Sequence, residues 1–245
     1  MKLIDGACWG LVPARGGSRS VRMKNLAMLG GRPLLDYCAA AGNAATGIAR
    51  MLCSTDAPAI TERCAALGVE VHHRPAALSG DDTAVFDVIA HLLADIAATE
   101  GAVAEWIALL QPTSPFVTPA QIEACLDVLR ADRAAGSVQT VIPVPHNQHA
   151  FNQRTVAEGE VSFRFAAERA DAYNKQRKPP LFLFGNLVIF HAARALEQGT
   201  VFAAPSRPVE IPPLNGFDCD GPMDFAVGDA LLAAGLVELS HLAAD

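Results

Sequence analysis

Hydrophobic residues in the first two-thirds of the chain form two alternating kinds of segment. Short, continuous apolar runs that end in turn-forming residues predict buried β-strands, and longer segments with apolar positions at helical spacing predict α-helices. The clearest helix is predicted over 83–98, where apolar residues recur every three or four positions. The pattern predicts strands at 7–13, 49–54, 69–72, 106–110 and 137–144, and helices at 34–41, 58–67, 83–98 and 119–130.

This alternation of strand and helix predicts an α/β fold. Parallel strands joined by helices form a sheet that is covered on both faces, so we expect a mostly parallel central sheet between two helical layers. The length of 245 residues fits one domain over 1–245. Toward the C-terminus, an apolar run predicts a core strand over 181–190, a small strand is predicted over 201–204, and a final helix is predicted over 221–235.

The alternation breaks at residues 145–180, which are polar and rich in glutamine and arginine. Short strands are predicted within 160–165. An insertion of this length between core strands is typical of a lid, a substrate loop or a dimerisation arm. His146 and His149 have the spacing of a helical metal pair, but no third ligand is evident, so we interpret them as solvated residues of the arm.

The overall composition limits the classes of function. The net charge of −7 argues against a nucleic-acid-binding protein, because such proteins need a basic face to displace counterions. No apolar run approaches the roughly 20 residues that span a membrane, and the N-terminus lacks a secretory signal, so we expect a cytoplasmic protein without a membrane partner. The six cysteines are scattered without a CxxC pair, which indicates buried free thiols.

Glycine and positive charge concentrate in the loop after the first predicted strand. In open parallel sheets, ligands bind beyond the carboxyl ends of the strands, so this loop is the first candidate site. Gly16 and Gly17 allow backbone N–H groups to approach an anion. The loop has neither the Walker A sequence nor the GxGxxG fingerprint, and a flexible, solvated basic loop is the alternative. Its polar side chains are Arg15, Ser18, Arg19, Arg22 and Lys24.

Two carboxylates near the C-terminus are candidate ligands for a divalent cation. Asp218 and Asp220 are two residues apart, so an extended chain places both on one face. Mg²⁺ keeps several waters and needs only one or two carboxylates. The alternative for Asp220 is capping of the last helix. Asp56, at the end of the second strand, is either a further carboxylate on the metal side or the cap of the next helix.

The segment Gln111–Pro115 follows another predicted strand at the same edge of the sheet. Its prolines restrict the backbone, so the polar side chains between them would point into a cleft. A rigid turn without a binding role is the alternative.

Five stretches of the chain carry a family likeness in their order and spacing. They are Val12–Arg19 with Lys24-Asn25, Ser54-Thr55-Asp56, Arg74-Pro75 ahead of Asp81-Asp82-Thr83, Leu110–Pro115, and Asp218-Cys219-Asp220. Together they span nearly the whole chain, and the chain resembles the acylneuraminate cytidylyltransferases, which are CMP-sialic-acid-type synthetases.

The resemblance implies a Rossmann-like three-layer fold, a homodimer and a magnesium-dependent reaction. In that reaction, an acidic nine-carbon sugar of sialic, legionaminic or pseudaminic type attacks the α-phosphorus of CTP through its anomeric hydroxyl and releases pyrophosphate. By motif position, the predicted catalytic residues are Arg15, Lys24 and Asp220, and the predicted metal ligands are Asp218 and Asp220. Nucleotide binding is predicted for Ala14, Arg15, Gly16, Ser18, Arg19, Lys24, Asn25, Arg74 and Asp82. Substrate binding is predicted for Gln111, Thr113, Ser114, Lys175, Arg177 and Asn186.

The chain departs from the family pattern in the strand that follows the arm. The family commonly has an arginine and an Asn-Gly-Ala stretch there, whereas this chain has Leu183-Phe184-Gly185-Asn186-Leu187, without a basic residue. A cation there would pair with the sugar carboxylate, and Lys175, Arg177 or Lys178 of the arm could replace it. The alternatives are a different sugar acid, a sugar phosphate or a different nucleotide, or a nucleotide-binding protein without turnover.

Overall fold

The structure, a computed structural model, describes residues 1–172 and 174–242. Its strands, in chain order, are β1 (Leu3–Pro13), β2 (Met28–Leu29), β3 (Arg32–Pro33), β4 (Arg50–Thr55), β5 (Glu70–His73), β6 (Val103–Leu109), β7 (Ser137–Pro143), β8 (Arg154–Ala157), β9 (Glu160–Phe163), β10 (Phe182–His191) and β11 (Ser206–Glu210). Its α-helices are α1 (Leu34–Ala44), α2 (Pro58–Ala66), α3 (Val85–Glu100), α4 (Pro119–Ala131), α5 (Ala166–Asp171), α6 (Ala192–Gln198) and α7 (Pro222–Ala233).

The central sheet has seven strands in the order β11-β7-β10-β6-β1-β4-β5. All neighbouring pairs are parallel except those of β10, which runs antiparallel to both β6 and β7. The prediction of a mostly parallel α/β sheet is therefore confirmed. The antiparallel direction of β10 could not be read from its apolar sequence, because that sequence carries no sign of strand direction.

Both faces of the sheet are covered, which explains why its strands are continuously apolar. In β1, Cys8 and Val12 point into one hydrophobic core, and Trp9 and Leu11 point into the other. The first core includes residues from α1, α2 and α4, and the second includes residues from α3 and α6. The three-layer arrangement follows from this alternation, because successive side chains of a strand lie on opposite faces.

Three elements near the arm and the C-terminal third differ from the sequence-based expectation. The strand predicted over 201–204 is wrong, and β11 lies just after it at Ser206–Glu210. Pro208 hid this strand, since proline is unfavourable within a sheet, but β11 is an edge strand, where the missing N–H costs nothing. The two short helices α5 and α6 were also not predicted.

The insertion predicted at 145–180, termed here the arm, leaves the sheet at the end of β7 and returns to it at the start of β10. β7 ends at Pro143, β10 begins at Phe182, and these two residues are paired in the ladder. Between them lie the β8–β9 hairpin and α5, and Tyr173 lies outside the described residues. The interpretation of His149 as solvated is wrong, because its ring is buried and its Nε2 lies 3.0 Å from the carbonyl oxygen of Pro179.

Within 1–172 and 174–242, we find no α-helix that combines the length and the apolar character needed to cross a bilayer.

Candidate active site

A cavity of about 400 Å³ opens at the carboxyl edge of β1, β5 and β6. Three connecting loops form most of its wall, as expected for an open parallel sheet. The loop after β1 contributes Arg15, Gly17, Ser18, Arg19, Ser20, Lys24 and Asn25; the loop after β5 contributes Arg74, Leu78, Gly80, Asp81 and Thr83; and the turn after β6 contributes Gln111, Pro112 and Thr113.

The backbone of the loop after β1, termed here the phosphate loop (residues 14–25), is fixed by its neighbours. The N–H of Gly16 donates to Oδ1 of Asp56 at 2.8 Å, and Nδ2 of Asn25 donates to the carbonyl oxygen of Arg15 at 2.9 Å. A Cβ on Gly16 would lie 2.8 Å from the Cβ of Ala57, so only glycine fits there. The alternative of a flexible, solvated loop does not agree with these contacts.

Asp56 therefore has a role that neither sequence-based interpretation included, which is to hold the phosphate loop. No side-chain hydrogen bond caps α2, whose N-cap residue is Ala57. The carboxylate instead accepts from the phosphate loop, so the prediction that Asp56 caps the next helix is wrong. Gly16 and Asp56 are 40 residues apart in the sequence, and the hydrophobic periodicity that predicts helices and strands does not predict such a contact.

Three of the four cations of the phosphate loop are paired with carboxylates on other loops. Asp81 lies 2.6 Å from Nη1 of Arg15 and 2.9 Å from Nε of Arg19, and Nζ of Lys24 lies 2.8 Å from Oδ1 of Asp220. A triphosphate that enters the cavity would therefore meet three cations that already have carboxylate partners.

Arg74 forms the inner wall of the cavity. Its side chain is buried, and its Nη2 donates to the carbonyl oxygen of Ser54 at 2.7 Å. Burial lowers the pKa of Arg74 from its ordinary value, while nearby Asp56 opposes that shift. The hydrogen bond to Ser54 connects Arg74 to the end of β4, next to the phosphate loop.

Asp218 and Asp220 lie together beside the turn after β6. The N–H of Cys219 donates to the carbonyl oxygen of Thr113 at 2.7 Å, which places this segment against the cavity. Loss of solvation around its carboxyl group raises the pKa of Asp218 to about 6, and neighbouring Asp220 contributes to the rise. The hydrogen bond from Lys24 keeps the pKa of Asp220 low.

The helix-capping alternative for Asp220 is wrong. The carboxylate of Asp224, in the first turn of α7, accepts from the backbone N–H groups of Asp220 at 3.0 Å and Gly221 at 2.7 Å. Because Asp224 satisfies the start of the helix, the carboxylate of Asp220 is available to Lys24 and to a ligand.

The two carboxylates fit a magnesium ion better than a softer metal. They supply hard oxygen ligands, and a divalent cation would offset the loss of solvation and the repulsion from Asp220 that raise the pKa of Asp218. Among residues 1–172 and 174–242, no group of three or more His, Cys, Asp or Glu side chains could hold a metal. A site with two carboxylates suits Mg²⁺, which retains water, and does not suit zinc.

Several predicted site residues do not line the cavity, and Asp218 and Asp220 are among them because they lie beside its wall. Ser114 and Asn186 are buried away from it, and Asp82 is exposed outside its wall. Asn186 uses its amide within the protein: Nδ2 donates to Oε1 of Gln121 and to the carbonyl oxygen of Asn215, both at 2.9 Å. The geometry therefore gives Asn186 a structural role rather than contact with a substrate.

Backbone and arm residues complete the comparison with the predicted site. Ala14 and Gly16 belong to the phosphate loop through their backbones, and of the arm's short helix at 175–177 the described side chains, Gln176 and Arg177, do not line the cavity. Arg177 is exposed, Lys178 donates to Oδ1 of Asn152 at 2.8 Å, and the side chain of Lys175 lies outside the described part of the structure.

The cavity also has an apolar wall that the sequence did not assign to the site. Leu78, Val85 and Val88 contribute to it. Val85 and Val88 belong to the apolar spacing of α3, which indicates a core face, yet Val85 is 41% exposed. It lies at the first turn of the helix, where the core face extends beyond the packed interior and meets the cavity.

Sequence comparison places this chain among known nucleotidyltransferases. The sequence model described as cytidylyltransferase matches residues 9–160, which is more than half of the chain. The CMP-N,N'-diacetyllegionaminic acid synthase of Legionella pneumophila is 24% identical over 224 residues, which cover 91% of this chain and 94% of that protein. The N-acylneuraminate cytidylyltransferase of Escherichia coli is 34% identical over 106 residues, which cover 43% of this chain and 24% of that protein.

Structural comparison agrees on the fold. A CMP:2-keto-3-deoxy-manno-octonic acid synthetase complexed with CTP superposes with a TM-score of 0.67 at 18% identity, covering 94% of this chain and 99% of the other. The 2-C-methyl-D-erythritol 4-phosphate cytidylyltransferase of Thermus thermophilus superposes with a TM-score of 0.60 at 22% identity, covering 95% of this chain and 100% of the other. The match over residues 9–160 shows that the chain belongs to the cytidylyltransferase family, whose members are CTP-dependent nucleotidyltransferases.

Proposed function

We propose that this protein transfers CMP from CTP to the anomeric hydroxyl of an acidic nine-carbon sugar and releases pyrophosphate. The observation that carries the proposal is the cavity lined by Arg15, Arg19 and Lys24, with the Asp218–Asp220 pair beside it and joined to it by the 2.8 Å contact of Asp220 with Lys24. A triphosphate brings close to four negative charges, and such a set of cations with an adjacent metal site is what its binding requires.

The chain's own residues would act mainly by positioning and by charge. The sugar oxygen forms a bond to the α-phosphorus of CTP, and the bond from that phosphorus to the pyrophosphate oxygen breaks. Arg15, Arg19 and Lys24 would bind the phosphate oxygens and stabilise the charge that develops on the departing pyrophosphate. The fixed backbone of the phosphate loop supports this role, because the positions from which these side chains extend are already set.

Asp218 and Asp220 would hold the magnesium ion. When bound, Mg²⁺ offsets phosphate charge and orients the triphosphate. Lys24 keeps Asp220 ionised, and therefore ready to bind a cation, through the 2.8 Å contact. Thr113 is a hydrogen-bond donor to Asp218 and connects this pair to the turn after β6.

Gln111 and Thr113 are the proposed contacts to the sugar, because both line the cavity next to the two aspartates. The names of the relatives support a sugar acid: they include synthases for diacetyllegionaminic acid and for N-acylneuraminate. A relative from Elusimicrobium minutum, 29% identical over 123 residues, is a 3-deoxy-manno-octulosonate cytidylyltransferase. The absence of a basic residue at 183–187 therefore makes a different sugar acid the second candidate.

We also propose that the protein is a homodimer in which a second copy covers the apolar surface beside the arm. Two groups of exposed apolar side chains are proposed to form it: Val156 and Val161, which are paired across the hairpin, and Phe182, Leu183 and Phe184 at the start of β10. Between Phe182 and Phe184, β10 pairs with β7 alone, since its pairing with β6 begins at Val188. An apolar strand segment with one open edge is commonly covered by another chain.

Pyrophosphate release tests the proposed reaction. The protein is incubated with Mg²⁺, each of the four nucleoside triphosphates and a panel of sialic, legionaminic, pseudaminic and 3-deoxy-octulosonic acids. We expect release with CTP and a nine-carbon acid. Release with UTP or GTP but not CTP would contradict the nucleotide, and release with the eight-carbon acid alone would contradict the sugar class. No release with any pair, despite CTP binding, would contradict the enzyme.

Light scattering of the purified protein tests the dimer. We expect a mass of twice the 25.7 kDa of the chain, and a monomer after Val161→Glu, which places a charge on the exposed hairpin. A monomeric wild-type protein would contradict the proposed dimer without bearing on the reaction.

A further inference from the structure

One carboxylate, that of Asp81, pairs with two of the three arginines of the phosphate loop. Oδ1 of Asp81 lies 2.6 Å from Nη1 of Arg15, and Oδ2 lies 2.9 Å from Nε of Arg19. The carboxylate thus bridges two guanidinium groups with its two oxygens, as a phosphate group does. We infer that Asp81 is an internal competitor of the nucleotide: it occupies the position of a phosphate in the empty site and weakens triphosphate binding until it is displaced.

The contacts of Asp81 suit a group that is displaced. The side chains of Asp81 and Arg19 are 37% and 75% exposed. Because water screens their charges, the ion pair between them is weak. Asp81 lies in a connecting segment, after the short helix at 76–78 and before α3, rather than within a packed element. The further contact of this segment to the loop, from Nη1 of Arg15 to the carbonyl oxygen of Ser79, is long at 3.4 Å.

Charge decides the direction of the effect. Once a triphosphate is bound, the carboxylate of Asp81 remains close to several like charges, and this repulsion opposes binding. Asp220 pairs with Lys24 in a similar way, but the proposed metal site requires its charge. The charge of Asp81 has no role in the proposed metal site, so its removal frees Arg15 and Arg19 for phosphate oxygens without weakening metal binding.

The nearly isosteric variant Asp81→Asn tests the inference with inorganic tripolyphosphate as the probe. Calorimetry without added metal compares the dissociation constant of the probe with that of the wild-type protein. We expect binding about three- to tenfold tighter, the range for loss of an exposed ionic competitor. Asp81→Glu retains the charge and should stay within about twofold of wild type on the same reasoning.

Asp127→Asn is the matched control. Asp127 forms an exposed ion pair with Nη1 of Arg130 at 2.7 Å on α4, away from the cavity, so this variant makes the same charge change and also loses an arginine partner. It should bind tripolyphosphate as the wild-type protein does. Unchanged or weaker binding by Asp81→Asn would overturn the inference, and weaker binding would show that Asp81 positions the arginines instead.

The inference rests on the proposed function only for the identity of the natural ligand. Tripolyphosphate has no base, so the comparison holds whether or not CTP is turned over. In the turnover assay, the inference further predicts that Asp81→Asn lowers KM for CTP, whereas a purely structural role would raise it. Failure of every nucleotide and sugar pair would overturn the proposed function alone, and tighter tripolyphosphate binding would still support the role of Asp81.

Discussion

The carboxylate of Asp56, at the end of β4, accepts a 2.8 Å hydrogen bond from the backbone N–H of Gly16 in the phosphate loop. The contact joins the loops that follow two adjacent parallel strands. Asp56→Ala would release the Gly16 N–H and let the loop relax. A hydrogen bond to a charged group contributes about 1.5–3 kcal/mol, so we expect kcat/KM for CTP to fall by about 10- to 100-fold.

Asp56→Asn is the control for this change, because its amide oxygen can still accept from Gly16. Its loss of activity should be smaller than that of the alanine variant. Steady-state pyrophosphate release measures both variants, and equal kcat/KM for Asp56→Ala and wild type would remove Asp56 from the support of the site.

Gly16→Ala tests the same loop by steric crowding. The new Cβ would lie 2.8 Å from the Cβ of Ala57, and neither atom is the end of a flexible side chain, so the backbone must shift. We expect a clear loss of CTP binding with little change in the thermal midpoint. Gly17→Ala is the matched control, since nothing lies within 4 Å of a Cβ at that position. Equal CTP affinity in the two variants would contradict this account.

Asp220→Asn addresses the metal site. The variant keeps the shape of the side chain but loses its charge toward both Lys24 and the proposed Mg²⁺. We expect kcat to fall by about 100-fold or more and the magnesium concentration for half-maximal activity to rise. A magnesium titration of pyrophosphate release gives both quantities.

Asp224→Ala separates metal binding from helix capping. Asp224 accepts from the N–H groups of Asp220 and Gly221, so its loss should lower the free energy of unfolding by about 1 kcal/mol. Its magnesium dependence should remain that of the wild-type protein. A matching shift in both variants would indicate that Asp220 acts through the helix start instead of through the metal.

His191 makes stability depend on pH. Its Nδ1 accepts from the backbone N–H of Arg194 at 3.3 Å at the start of α6, and its ring packs edge-on against Trp106. Burial, with the nearby charge of Arg194, lowers the pKa of His191 below its ordinary value of 6.5. The neutral ring is therefore favoured in the folded state. Its contribution to the free energy of unfolding is complete above pH 6.5, the ordinary pKa, and is lost as the pH falls from there through the lowered pKa of the folded state.

His191→Asn retains a capping acceptor that does not titrate. We expect the free energy of unfolding of the wild-type protein to fall more steeply than that of the variant below about pH 6.5. Urea denaturation across this range measures the difference. Parallel pH profiles for the two proteins would contradict a role for the imidazole.

A buried ion pair offers a stability test away from the site. The carboxylate of Asp36 is fully buried in α1, and Oδ1 accepts from Nε of Arg63 on α2 at 2.8 Å. Arg63→Ala would leave that charge uncompensated. We expect a loss of about 3 kcal/mol, the lower end for a buried pair because Arg63 is partly exposed. In the Asp36→Asn variant, Arg63→Ala should lower the free energy of unfolding by much less. An equal loss in the wild-type and Asp36→Asn proteins would contradict the pairing.

Much of the fold could be predicted because local pattern and tertiary environment agree. The continuous apolar run in β6 and the helical spacing in α3 both reflect burial, and both elements lie within a few residues of their predicted bounds. The capping box of Thr118 and Gln121 likewise follows from neighbouring residues. β11 was missed because its position at the edge, which tolerates Pro208, is a property of the whole sheet.

The candidate site likewise has features that the sequence could predict and features that it could not. Its cations and carboxylates could be predicted because they occur in short motifs at strand ends. Their partners could not, because the bonds from Asp56 to Gly16 and from Asp81 to Arg15 join residues far apart in sequence. Asn186 illustrates the converse: it lies within a family motif, but only the structure shows that Gln121 and Asn215 occupy its amide.

The reversed direction of β10 has a consequence for how this protein can evolve. Because β7 ends and β10 begins at paired residues, the two ends of residues 144–181 are one strand spacing apart, about 5 Å. The whole arm can therefore lengthen, shorten or be exchanged without altering the register of any strand in the sheet. Sequence change can accumulate in the arm while the strands that carry the cavity keep their register.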